Sequence, residues 1–121
     1  MKMTNFEIYS TANKLFEAFH DNEQKFPVKM NFFLQKNKRA LLSLAQEIEE
    51  ARMNIAQTYG IDSGDGNFSI PSENISKAQE ELDQLFNIEQ DVNIIKISYN
   101  DLDPDMELTS AQMEALMFMI E

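Results

Sequence analysis

From Pro27 to Tyr59 the chain runs 33 residues without a glycine or a second proline. Proline at the opening suits a first helical turn, where its missing N–H costs nothing. Leu34, Leu41, Ile48 and Ile55 recur every seven residues, with Leu44, Ala45, Ala51 and Tyr59 on the flanks of that line. This is the pattern of a long amphipathic helix with a coiled-coil-like seam. Unbroken, it would reach about 50 Å at roughly 1.5 Å per residue. Everything else in a chain of 121 residues must then pack along that rod. Asn37 lies on the seam between Leu34 and Leu41, so the helix either projects in part or breaks near that residue.

Local signals place the other elements. Thr4 with Glu7, and Thr109 with Gln112, have the capping-box spacing that opens a helix. The first helix, over 4–20, carries Ile8, Ala12, Leu15, Phe16 and Phe19 as an apolar stripe. A third helix, over 73–87, begins after Pro71 and Ser72 and directs Ile75, Ala78, Leu82, Leu85 and Phe86 inward. The last carries Ala111, Ala115, Leu116, Phe118, Met119 and Ile120. Gly60 is placed to end the long helix, and Asp65-Gly66 is a tight-turn signal. Val92–Tyr99 is rich in β-branched residues and reads as a strand, with Asn67–Ile70 as its one candidate partner in the chain and a strand from a second copy as the alternative. The expected fold is α+β and mainly α, a single domain over 1–121. A long central helix packs with three shorter helices and a small two-stranded β element.

Composition narrows function by exclusion. There is no cysteine and one histidine, His20, so disulfides, thiolate metal sites and His-rich clusters are excluded. His20 beside Asp21 reads as a helix-end pair, with no nucleophile signature to accompany it. The three glycines leave no nucleotide-binding loop. With Gly66 aligned as the glycine of a calcium loop, Ile61 and Ser72 stand where the first and last carboxylate ligands belong. No metal and no cofactor are therefore expected, and no enzyme activity. No run approaches the roughly 18 apolar residues of a membrane span.

Charge is divided unevenly. Residues 1–59 hold 7 acids and 8 bases; residues 60–121 hold 14 acids and only Lys77 and Lys96. An acidic half disfavours nucleic acid and attracts a basic protein surface. Asp101, Asp103, Asp105 and Glu107 concentrate that charge in one loop and are the candidate partner-binding residues. Lys36, Lys38 and Arg39 are the one dense basic cluster and read as a solvated helix face. Leu41, Ile48 and Ile55 are the candidate self-association residues, since a heptad stripe serves a second copy; the rival reading is that the first and third helices fill it.

The order of these features resembles a family of small phage- and prophage-encoded proteins of unknown function. The residues that carry the resemblance are Phe26-Pro27-Val28-Lys29, Asn37, the helix closing Glu50-Ala51-Arg52 to Tyr59-Gly60, Asp65-Gly66-Asn67, the Val92–Ile97 segment and the closing Ala115 to Glu121. It implies a viral origin and action in the bacterial host cytoplasm or on a virion, and it transfers no functional residue. The expected role is a non-enzymatic protein-binding module, such as an inhibitor of a host defence protein; the alternative is a virion or tail-assembly accessory component.

Overall fold

The computed structural model describes residues 1–19, 26–62, 64, 68–101 and 107–120, with Asp62 and Asp101 described by backbone alone. In chain order the elements are β1 (Lys2–Thr4), α1 (Asn5–Ala18), α2 (Val28–Tyr59), β2 (Ile61–Asp62), β3 (Phe68–Ser69), α3 (Ser72–Asn87), β4 (Glu89–Asp91) and α4 (Ser110–Leu116). Single 3₁₀ turns occupy Tyr99–Asp101 and Met117–Met119. The expected fold holds: α2 is the spine, α1 and α3 pack on it, α4 packs on α1, and among the described residues the β content is two two-stranded antiparallel pairs and one parallel bridge.

Both capping boxes form. The Thr4 and Thr109 hydroxyls accept from the backbone N–H of Glu7 and Gln112, whose side chains reach back to the cap amides. Pro27 stands just outside α2, at its cap position, and Pro71 does the same for α3, so Ser72 is the first helical residue and does not cap it. Gly60 ends α2 in extended conformation, φ −106° and ψ 168°, because strand β2 begins at the next residue. Its hydrogen is needed for close approach: a Cβ there would stand 2.5 Å from the Ala56 carbonyl oxygen and 3.1 Å from the Phe68 Cβ.

The helix α2 is continuous through Asn37. α1 runs antiparallel beside it, with Tyr9 opposite Glu49 and Lys38 donating to the Phe19 carbonyl. α3 turns back along the other end: Asn74 donates to the Tyr59 carbonyl and the Tyr59 hydroxyl to Glu81. The C-terminal end of α3 reaches the start of α1, where Phe86 meets Tyr9 and Phe6 edge-on. α4 closes over α1, its Gln112 amide donating to the Ala18 carbonyl at 3.1 Å.

The seam is filled from within. Leu34, Leu41 and Ile48 are buried in the same core as Ile8, Ala12, Leu15, Val92, Ile97, Leu116 and Met119. Each such side chain contributes about 1.5–3 kcal/mol by leaving water, and here that stabilisation belongs to the fold. Leu41 and Ile48 thus offer no free stripe to a second copy, and Ile55 is half-buried. Two other apolar residues differ from expectation: Phe16 on α1 and Ile75 on α3 are exposed. Each stands at the edge of its helix's apolar stripe, and no neighbouring element covers that edge.

The strand expected over Val92–Tyr99 is absent. Strand β4 lies just before it and pairs with β1, Lys2 opposite Asp91 and Thr4 opposite Glu89. The Phe68–Ser69 segment pairs instead with Ile61–Asp62. The β-branched stretch finds its backbone partners elsewhere. The fully buried Asn37 amide donates to the Ile95 carbonyl and accepts from the Ile95 N–H, both at 2.8 Å. Ile97 donates to the Met119 carbonyl at 2.8 Å and bridges Ile120. Burial of an unpaired peptide group is costly. A side-chain amide, which offers both an N–H donor and a carbonyl acceptor, substitutes here for a neighbouring strand. Asn5 and Gln112, the other buried polar side chains, are likewise hydrogen-bonded: Asn5 to the Leu85 carbonyl and the Gln90 amide, Gln112 to Ala18.

Candidate functional site

Strong local electrostatics are concentrated where α1 meets α2. The Tyr9 hydroxyl donates to Glu49 Oε2 at 3.0 Å. The Arg52 guanidinium takes the same carboxylate in a two-point grip, Nε to Oε2 at 2.9 Å and Nη2 to Oε1. Hydrogen bonding from Arg52 holds the Glu49 carboxyl below the usual carboxylate range, against some desolvation. The hydrogen bond to Glu49, aided by burial, holds the Tyr9 phenol protonated above its ordinary value. A carboxylate fixed in its charged form and a phenol fixed in its neutral form are both removed from proton exchange near neutrality. The trio clasps α1 to α2; it is not poised for acid–base work.

The described residues contain no group of three or more His, Asp or Glu side chains able to hold a metal ion. No helix among them is long and apolar enough to cross a membrane. His20 and Asp21 lie outside the described residues, as does the whole Asp65-Gly66-Asn67 turn.

The acidic half offers a surface. Along the outer side of α3 run Ile75, Ser76, Gln79, Glu80, Asp83, Gln84 and Asn87, which line one shallow open groove. The Gln79 amide donates to Asp83 at 2.9 Å, one turn along the helix. Ile75 is 53% exposed, an apolar anchor at one end of a carboxylate-bearing face. Glu89 and Asp91 continue the exposed acids beyond the helix, with Lys2 3.8 Å from Glu89 across the β1–β4 pair. No protein-family model matches this chain, and no curated protein or solved structure matches it.

Of the residues expected to bind a partner, Asp103 and Asp105 lie outside the described residues. The backbone of Asp101 ends a 3₁₀ turn, and Glu107 is exposed shortly before the Thr109 cap. The total charge of 60–121 does not by itself single out the α3 face. The signal was present in Glu80 and Asp83, three residues apart on a helix and therefore on one side of it.

Lys36 and Arg39 share one face of α2, and Lys38 does not. Lys38 is half-buried and turned to the Phe19 carbonyl, while Lys36 and Arg39 are exposed. The Lys36 ammonium sits 5.5 Å above the Phe32 ring. Met117 is exposed and Met119 fully buried, so the two methionines face opposite ways, as their spacing requires.

Proposed function

We propose that this chain is a non-enzymatic, phage-encoded module that binds a protein with a basic surface, acting in the bacterial cytoplasm as an inhibitor of a host defence protein. The observation that carries the reading is the outer face of α3, where Glu80 and Asp83 stand exposed beside the anchor Ile75. A shallow apolar-and-acidic helix face fits the groove of a basic partner and gives no enclosure for a small substrate. The charge of the whole half, 14 acids against 2 bases, steers such a partner and repels phosphate backbones. The loop with Asp101, Asp103, Asp105 and Glu107 adds to the same field. Viral origin rests on the resemblance in feature order alone.

The test is affinity capture from bacterial lysate with three baits: the parent chain, Glu80→Lys with Asp83→Lys, and a loop variant in which the three aspartates become Asn and Glu107 becomes Gln. The expected result is a basic protein held by the parent, lost with the α3 variant and captured more slowly by the loop variant. An identical set of proteins on all three baits would overturn the reading. Capture of virion structural proteins would transfer it to an assembly role.

A further inference from the structure

We propose that the acidic face of α3 is also the docking site for a second copy of this chain, which presents the outward face of the first half of α2. The proposal rests on the reading above only in using the same face of α3.

The outward face of α2 is unusual for a side turned to water. Val28, Phe32, Lys36, Arg39 and Leu42 follow one another at steps of three and four, so they form a single stripe. It lies opposite the buried Met30, Leu34, Asn37 and Leu41. Val28 is 86% exposed and Phe32 57%, with Leu42 also exposed. Single exposed apolar residues are ordinary; three on one stripe, interleaved with two cations, form an amphipathic contact face. Residues 26–46 carry Lys29, Lys36, Lys38 and Arg39 and no acid. In a chain of formal charge −11, the stripe presents the exposed cations Lys36 and Arg39 with no acid from residues 26–46 beside them.

The α3 face is its counterpart in each respect. It carries carboxylates where α2 carries cations, and Ile75 where α2 carries Val28 and Phe32. The lengths match: 14 residue steps from Val28 to Leu42 and 12 from Ile75 to Asn87 span about 21 and 18 Å at roughly 1.5 Å each. The two faces are kept apart within one molecule. α3 lies along the far end of α2, from Tyr59 back to the level of Tyr9 and Glu49, and does not reach Val28–Leu42. Complementary faces that cannot meet in one chain meet between two.

The net negative charge makes nucleic acid the weaker occupant of the basic stripe, whereas an acidic face of matching length is supplied by every other copy at equal concentration. The contact joins two different surfaces, so it is heterologous and can repeat head to tail. One helix laid on another buries less than the roughly 1,200–2,000 Å² of a stable interface. Association is therefore weak, and salt weakens it further.

Sedimentation velocity on the purified full chain tests this, over a wide range of concentration at low and high salt. Two variants are compared, Lys36→Glu with Arg39→Glu, and Glu80→Lys with Asp83→Lys; all four positions are exposed, and circular dichroism confirms the fold of each. The parent should gain mass with concentration at low salt and lose that gain at high salt. Each variant alone should associate about a hundredfold more weakly, because juxtaposed like charges are strongly disfavoured. An equal mixture should associate again, since opposite charges face each other once more. A parent of constant single-chain mass, an α3 variant that associates like the parent, or a mixture that stays monomeric would each overturn the proposal. No foreign protein is present, so failure here leaves the lysate result standing, and the reverse.

Discussion

Replacing Asn37 by alanine removes the one side chain that stands in for a strand. Two hydrogen bonds at 2.8 Å are lost, one in each direction, to the Ile95 carbonyl and N–H. Each is worth about 1 kcal/mol net, and each backbone group left unpaired in a poorly hydrated place costs about 1 kcal/mol or more. Ile95 is half-buried, so water recovers part of the second term. The sum is about 3 kcal/mol, a large fraction of the roughly 5–15 kcal/mol that holds a domain together. In a chain of this size that lowers the melting temperature by roughly 10 °C. Urea unfolding followed by circular dichroism measures it directly, as a lower midpoint at unchanged slope. Asn37→Asp separates the two directions. An aspartate accepts from the Ile95 N–H but offers nothing to its carbonyl and buries a charge, so it should destabilise at least as much as alanine at neutral pH. If Asn37→Ala costs less than about 0.5 kcal/mol, within the range of an ordinary surface change, the amide is not what holds the 92–98 segment to α2.

Gly60→Ala should destabilise by about 1–3 kcal/mol, because the new methyl meets backbone at the Ala56 carbonyl and cannot displace it cheaply; thermal unfolding reads this out. Thr109→Ala should cost about 1 kcal/mol and speed hydrogen exchange in α4, whose seven residues are too few to hold a helix without the cap. The contribution of Glu49 is complete above the ordinary carboxylate pKa and is lost as pH falls from there through its lowered folded value. Glu49→Gln should flatten that part of the stability–pH curve, by less than about 1 kcal/mol because the pair is over a third exposed.

What could be read in the sequence was what is local. The capping boxes at Thr4 and Thr109 involve residues three apart and were decided before any tertiary contact. The seven-residue spacing on α2 identified the helix and its buried side, though not what would cover it; heptads report only that a partner exists. Val92–Tyr99 differs from expectation because β-branching reflects burial on a pleated surface, and here Val92 and Ile97 are buried, and Ile94 and Ile95 half-buried, without a ladder. The true strand, Glu89-Gln90-Asp91, has no strand propensity and exists through pairing with Lys2–Thr4. Asn37 stood out as a polar residue on an apolar seam, but its partner lies 58 positions away. The α3 face was legible as charge; that Ile75 would remain uncovered depends on how α2 and α3 meet near Tyr59.

The β1–β4 pair sets an order of assembly. Thr4 and Glu89 are 85 positions apart, and closing so long a loop is unfavourable until other contacts have shortened it. The α2–α3 hairpin needs no such closure, since its helices are joined through Gly60 and the β2–β3 turn. During synthesis Lys2–Thr4 therefore emerges well before Glu89–Asp91 and waits for that strand before its backbone is satisfied. The interval between the two strands leaves an open strand edge beside the exposed ring of Phe6, a stretch of chain in need of protection from neighbours while folding is under way.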